Sequence, residues 1–309
     1  SAGQSFHSLR TRLMKRPLTA SLLISAGLFT GLPCSPAGAA IQAGFSERDI
    51  TPDIGQERPG GYRKSFHRKF HDPCKVRVAV FADDRTKIAI VGLDALMVPR
   101  SVVQSARVQI EKLVHIAPGA VLIAASHSHS SGPTGMVQPG QYDTASAEIR
   151  RLAYEESSLA DAAYLLRVTQ AIVEGVMIAS EACVPAELGF GRGHEDKAGF
   201  NRRYRMKNGQ TWTNPGAANP DIVDYAGPID PDVGVIGAWD SKGRLLGTIV
   251  NYACHTNISP DGISANWTFH LERTIQGALH APVPVGSDAG ACGDISKLDS
   301  KSPYVRQTE

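Results

Sequence analysis

The sequence predicts an α/β protein: mixed β-sheets carrying helices on their faces, gathered into a single domain. Two observations lead there. The apolar runs Val76-Arg77-Val78-Ala79-Val80-Phe81 and Lys87-Ile88-Ala89-Ile90-Val91-Gly92-Leu93 are separated only by a short segment holding Asp83-Asp84, so they pair as an antiparallel hairpin. Later runs are separated by segments of helical period, which gives a strand-helix-strand unit and parallel neighbours. A sheet built both ways is mixed rather than purely parallel.

Taken in order, Val102, Val103, Ala106, Ile110 and Leu113 recur at helical spacing after the hairpin, and Pro118-Gly119 ends that segment. The strand Val121-Leu122-Ile123-Ala124-Ala125 follows and stops in polar chemistry at Ser126-His127-Ser128-His129-Ser130-Ser131-Gly132-Pro133. A long helix is expected from about Leu159 to Ala182, with Leu165, Leu166, Val168, Ile172, Val173 and Val176 as its apolar content. Strands are expected near 186–191, 233–239 and 245–254. Between the first two of these, Asn201 to Pro231 reads as a long irregular excursion, and loops of that length are uncommon unless functional or disordered.

The 309 residues do not all belong to the folding unit. Residues 1–13 have no hydrophobic pattern and read as a non-native extension, with Met14 as the natural start. Residues 14–39 read as a secretory signal: Lys15-Arg16, the apolar core Ala20 to Phe29, and an A-x-A cleavage site at Ala37-Gly38-Ala39. That core is shorter than the roughly 20 residues a membrane-spanning helix needs. Pro33 before Cys34 fits no lipid-attachment box. Residues 40–309 are then the mature domain, secreted or periplasmic.

Removing the leader changes the charge balance. Four of the 32 basic residues and none of the 30 acidic ones lie in residues 1–40, which leaves 28 against 30 and a formal charge of −2. No basic block remains to bind nucleic acid, and Lys64, Arg68 and Lys69 read as a solvated surface. Cys74, Cys183, Cys254 and Cys292 lack C-x-x-C spacing, which excludes zinc-ribbon and thioredoxin readings; in an exported chain they could form a disulfide whose pairing is not legible. Gly189-Phe190-Gly191-Arg192-Gly193 lacks the G-x-G-x-x-G frame and opens no helix, so it is not a nucleotide loop.

Three clusters carry chemistry. His127 and His129 sit where a buried strand leaves its sheet, a position that suits a metal or catalytic pair, against the plainer reading of two solvated loop histidines. His255 follows the run Leu245 to Cys254 at the same kind of strand end; its plainer reading is a satisfied core histidine. Gly290-Ala291-Cys292-Gly293-Asp294-Ile295-Ser296 is crowded with small residues, as when backbone approaches a ligand closely, or as in an ordinary glycine-rich turn. There Asp294 is a candidate to orient a histidine or touch a metal, and Ser296 to bind or attack a substrate. Asp94, at its own strand end, is a candidate to support a metal-bound histidine, or simply to cap the strand.

These residues fall in an ordered series that resembles the catalytic domain of the neutral/alkaline, non-lysosomal ceramidases and their bacterial relatives. The series runs through Arg48-Asp49-Ile50-Thr51-Pro52, His71-Asp72-Pro73, the Ser126 to Pro133 run, Phe200-Asn201-Arg202-Arg203 and Gly227-Pro228-Ile229-Asp230-Pro231. It continues through Asn251-Tyr252-Ala253-Cys254-His255, Ile263-Ser264-Ala265 and Gly293-Asp294-Ile295-Ser296.

The resemblance implies layered α/β packing and a zinc-dependent amidohydrolase that cleaves the N-acyl bond of ceramide or a similar lipid amide, at a membrane surface and with no obligate protein partner. It makes His127 and His255 zinc ligands, places His129 and Arg202 at the oxyanion of the tetrahedral intermediate, and makes Ser296 a nucleophile or a substrate contact. Water activated by the metal is the favoured nucleophile, because a metal lowers the pKa of water to about 7 while Ser296 has no activating base nearby in sequence. No G-x-S-x-G elbow occurs.

Two departures accompany the resemblance. The family draws a glutamate and a tyrosine ligand from beyond residue 309, so the chain reads as a fragment, and its end from Lys297 to Pro303 is expected to close on no helix or strand. Asn266 stands where relatives commonly carry aspartate, followed by Trp267-Thr268-Phe269. The competing readings are a metallohydrolase of the same scaffold acting on a non-lipid amide or ester, and a noncatalytic exported binding protein.

Overall fold

The computed structural model describes residues 40–303 except 62 and 258–260; the expected leader and N-terminal extension lie outside the described residues. Among the described residues, thirteen strands and four α-helices follow one another. The first part holds β1 (Gln42–Asp49), β2 (Lys75–Ala82), β3 (Lys87–Leu93), helix α1 (Arg100–Val114) and β4 (Val121–Ala125). Helices α2 (Ala147–Arg151) and α3 (Ala162–Glu181) lead to β5 (Val184–His194), β6 (Phe200–Asn201), β7 (Arg203–Met206), β8 (Thr211–Thr213) and β9 (Ile222–Tyr225). Last come β10 (Asp232–Asp240), β11 (Leu245–Tyr252), α4 (Trp267–Leu279), β12 (Val285–Ala289) and β13 (Ile295–Ser296).

The expected mixed sheet is present, with eight strands in the order β12-β11-β10-β5-β1-β2-β3-β4. Among the described residues its two halves join where β1 meets β5, through Gln42 opposite Pro185 and Ala43 opposite Val184. Past that seam they fold onto each other, and Ala43, Ala79 and Phe81 pack against Ala238 and Ile249. Phe45 lies so close to Gly247 that a Cβ there would sit 2.4 Å from its ring. The second face of each half takes helices. Val76, Val78 and Val80 meet α1 and α3, and Leu271 and Ile275 of α4 cover Val250 and Val285. Strand β2 is therefore buried on both faces, which is why it reads as a nearly continuous apolar run.

Local chemistry sets the helix boundaries. Asp161 accepts the Tyr164 N–H at 2.7 Å and starts α3, three residues after the expected start at Leu159. Leu159 instead bridges Val137 and gives its N–H to Glu57. In α1 the buried stripe is Val102, Ala106, Ile110 and Val114, while Leu113, expected in the core, is exposed. Leu166 of α3 is likewise exposed. Among the described residues, α3 is the one helix long and apolar enough to cross a membrane. Its buried face lies in the core beneath β1 and β2.

The stretch expected to be an irregular excursion is a small sheet instead, with β7 between β8 and β9. Tyr204 and Met206 are buried while Arg203 and Arg205 are exposed, a two-residue alternation shortened by the Gly209 turn at φ +80°. Residues 297–303 form no helix or strand, as expected, but the chain end is anchored. Ile295 and Ser296 pair with β6, and Asp299 accepts the Tyr225 hydroxyl at 2.9 Å, which ties the following turn to the small sheet.

Asp94 has a structural task. Its carboxylate takes the Arg77 guanidinium at 2.6 Å, the Lys75 N–H at 2.9 Å and the Thr268 hydroxyl at 2.9 Å. Arg77 reaches Glu272 of α4 at 2.6 Å, and Lys75 holds the other oxygen of Glu272 at 2.8 Å. Burial pushes the Glu272 carboxyl up, but the Arg77 and Lys75 charges outweigh it and hold it below the usual range. Arg77→Ala strands two buried carboxylates and is expected to cost about 3–5 kcal/mol, measured by denaturant unfolding.

Candidate functional site

The site lies at the carboxyl ends of two parallel strand pairs. Strand β4 runs parallel to β3, and β11 runs parallel to β12. Side chains placed just beyond such ends project clear of the sheet, a recurrent place for ligands in α/β folds. Ser126 and Ser128 donate their N–H groups to Leu93 and Ala95 and so prolong the β3–β4 ladder by hand-over-hand bonds. His127 sits between them at φ +64°, a left-handed conformation that aims its ring out of the ladder.

Each imidazole is fixed from behind by main chain. His127 Nδ1 lies 2.8 Å from the Leu96 carbonyl, and His255 Nδ1 lies 3.0 Å from the Cys292 carbonyl. These bonds place a proton on Nδ1 of each neutral ring and leave a lone pair on Nε2. The His129 ring bonds the Gly60 backbone. Gly60 is required there twice over: its φ is +89°, and a Cβ would sit 2.6 Å from the ring.

In front, the three rings converge. His129 Nε2 lies 3.0 Å from His255 Nε2 and 3.3 Å from His127 Nε2, and all three ligand atoms lie within 4.8 Å of one another. His129 Nε2 cannot give a proton to both neighbours, so at least one lone pair faces nitrogen with nothing between. A cation resolves that. Zinc–imidazole bonds of about 2.0–2.1 Å in a tetrahedron put ligand nitrogens about 3.3 Å apart, close to both separations found here.

Electrostatics disfavours the charged form of His129 and His255. Burial first, then the neighbouring His127, His255 and Arg202, pushes His129 down to about 4. Burial also lowers His255, against the opposing bond to Cys292. Cys254 and Cys292 flank this histidine, yet burial pushes the Cys254 thiol up to about 11 and raises Cys292 as well. All four cysteines of the described residues are free thiols, without the disulfide that export allowed.

The other expected residues form an adjoining wall. Arg202 lies between β6 and β7, gives its N–H to the Asp294 carbonyl at 2.7 Å, and donates from its guanidinium to the Gly293 carbonyl at 2.5 Å. Its charge acts on both His129 and His255. The Asp294 carboxylate accepts the Asn201 amide at 3.0 Å, so it positions the Arg202 turn rather than a histidine. Ser296 is buried in β13, and its hydroxyl accepts the Leu298 N–H at 3.2 Å. Among the described residues no imidazole or carboxylate bonds that hydroxyl. Asn266 lies beneath the site, where its amide donates to the Ser128 hydroxyl at 3.0 Å. Gly60 was not among the residues expected here, although the turn signal Pro59-Gly60-Gly61 marks it.

A layered α/β chain that gathers three imidazoles at its strand ends defines a candidate metalloprotein. No protein-family model matches the chain. It is 24% identical over 281 residues to the neutral ceramidase of Pseudomonas aeruginosa, an alignment that covers 84% of this chain and 38% of that protein. The crystal structure of neutral ceramidase from that organism superposes with a TM-score of 0.63 at 20% identity, covering 84% of this chain and 40% of that one. A structure described as ceramidase complexed with C2 gives the same TM-score and identity. The chain thus spans about two-fifths of the length of these relatives. The fold is theirs, and the resemblance carried by the ordered motifs is borne out.

An unfolded histidine titrates near 6.5. Between that value and about 4 the unfolded chain binds a proton that folded His129 refuses, so stability rises with pH through this window and is lost as pH falls. In chelator-treated protein the melting temperature is expected to drop between pH 7 and pH 5, and His129→Asn to flatten that drop. Equal slopes in the two proteins would remove the burial account of His129.

Proposed function

We propose that this chain carries the catalytic histidines of a zinc-dependent amidohydrolase that cleaves the N-acyl bond of ceramide or a similar lipid amide. The observation that carries the reading is the convergence of three Nε2 atoms whose rings are fixed from behind by backbone. The similarity to neutral ceramidases supports the lipid amide as substrate class, and presentation of that lipid at a membrane surface is part of the reading. Export to the periplasm or medium is included too, on the strength of the leader-like residues 14–39.

His127 and His255 would hold the metal. Bound zinc supplies a Lewis acid for the amide carbonyl and lowers the pKa of water to about 7. His129 and Arg202 face the position of the substrate oxygen. The guanidinium cannot lose its charge at working pH, so it offers donors and a fixed positive field to an oxyanion. Ser296 is read as a substrate contact, since its hydroxyl lacks the base a nucleophile requires.

A specific observation favours a second role for His129. With its pKa at about 4 the ring is neutral, and its Nε2 lies 3.0 Å from that of His255. A proton held toward Gly60 leaves this nitrogen an acceptor. As an acceptor it serves as a third metal ligand, and the oxyanion passes to Arg202 alone.

Metal analysis and N-acylsphingosine hydrolysis test both. His127→Ala is expected to lose zinc and to lower turnover at least a hundredfold; hydrolysis that survives unchanged would sink the zinc mechanism. His129→Ala separates the two roles. Zinc retained with turnover lost supports the oxyanion role, and zinc lost supports the third ligand.

A further inference from the structure

We infer that Thr256 is a positioning residue that clamps the two histidine-bearing loops into one metal-binding frame. The inference rests on the metal reading above and concerns what holds the rings in place. His127 and His129 belong to the loop after β4, whereas His255 belongs to the loop after β11, and the strands are not neighbours in the sheet. Something must fix one loop against the other to a few tenths of an ångström, because metal–ligand distances tolerate little more.

Thr256 makes that connection at three points. Its carbonyl accepts the His129 N–H at 3.0 Å. Its hydroxyl donates to the Ser126 carbonyl, immediately before His127. The same hydroxyl accepts the Trp267 indole N–H at 3.1 Å, which ties both loops to the first residue of α4. Thr256 is fully buried, so water cannot replace these partners. The hydroxyl thus acts as donor and acceptor at once, a combination that serine keeps and valine of the same shape removes.

The partners in this clamp explain why the residue after His255 matters. Ser126 and Ser128 are already committed to the β3–β4 ladder through their N–H groups, so His127 has no freedom along that side. The Thr256 bonds then carry the position of the β11 loop onto that fixed frame. Trp267 also packs edge-on against Tyr252, the last residue of β11, which closes the circuit from strand to loop to helix and back. Partners of this kind typically change metal affinity by about 10–100-fold when removed.

The experiment is zinc competition against a chromophoric chelator, with the visible d–d band of bound Co(II) as a second readout of geometry. Wild-type protein, Thr256→Val, Thr256→Ser and Trp267→Phe are compared, each checked by circular dichroism. Thr256→Val is expected to bind zinc about 10–100-fold more weakly and to give a weaker, shifted Co(II) band, with Thr256→Ser restoring both to near wild type. If Thr256→Val does not fold, Trp267→Phe decides: it removes one bond to the hydroxyl and is expected to weaken zinc binding by about threefold or more. Wild-type zinc affinity and Co(II) spectrum in a folded Thr256→Val, or in Trp267→Phe where valine does not fold, overturn the inference. Wild-type protein that takes up no zinc overturns the metal reading and this inference with it, whereas wild-type binding with unaffected variants overturns this inference alone.

Discussion

Three imidazole nitrogens held 3.0 and 3.3 Å apart, each ring fixed from behind by main chain, form the constraint on which the site depends. Nitrogen lone pairs do not gather unaided. The Leu96 and Cys292 carbonyls accept hydrogen bonds from Nδ1–H and so turn both Nε2 atoms forward. Burial disfavours the imidazolium form that would otherwise relieve the crowding. What remains is a preorganised set of three nitrogen donors with the spacing a cation requires.

That arrangement asks the scaffold for rigidity at the strand ends, and the sandwich supplies it. The two half-sheets meet through apolar faces, while the charged cluster of Arg77, Asp94, Glu272 and Lys75 links β2 to α4. Buried ion pairs add little net stability, because desolvation consumes most of the Coulomb gain. Their effect is on geometry. Asp94 also holds Thr268 in the first turn of α4, and the Asp72 carboxylate holds Ser264 and the Ala265 N–H just before it. These bonds from Asp94 and Asp72 fix where the loops begin.

Much of the fold was legible in the sequence because the relevant signals are local. The β2–β3 hairpin follows from two apolar runs around Asp83, whose side chain accepts the Arg85 and Thr86 N–H groups and closes the turn. The small sheet of β7, β8 and β9 was not legible. Its strands are only three or four residues long, and the alternation of Arg203, Tyr204, Arg205 and Met206 is too brief to stand out among charged neighbours. Leu113 and Val114 exchanged places for a related reason: adjacent apolar residues at a helix end fit either edge of the stripe, and only packing against the sheet selects one.

The sequence by itself determined which residues are candidates for the chemistry. His127, His129 and His255 stand at the ends of apolar runs, where a strand must leave its sheet, and Arg202 and Ser296 lie in motifs that resemblance marks out. Tertiary structure alone decided how they are placed and partnered. It set His129 in the same triangle as the other two rings, gave Asp94 to an ion cluster and Asp294 to Asn201, and brought Gly60 against an imidazole. Residue type fixes what a side chain can donate or accept. Which partner it meets depends on contacts between segments more than a hundred residues apart, such as His129 with His255, and no local pattern encodes those.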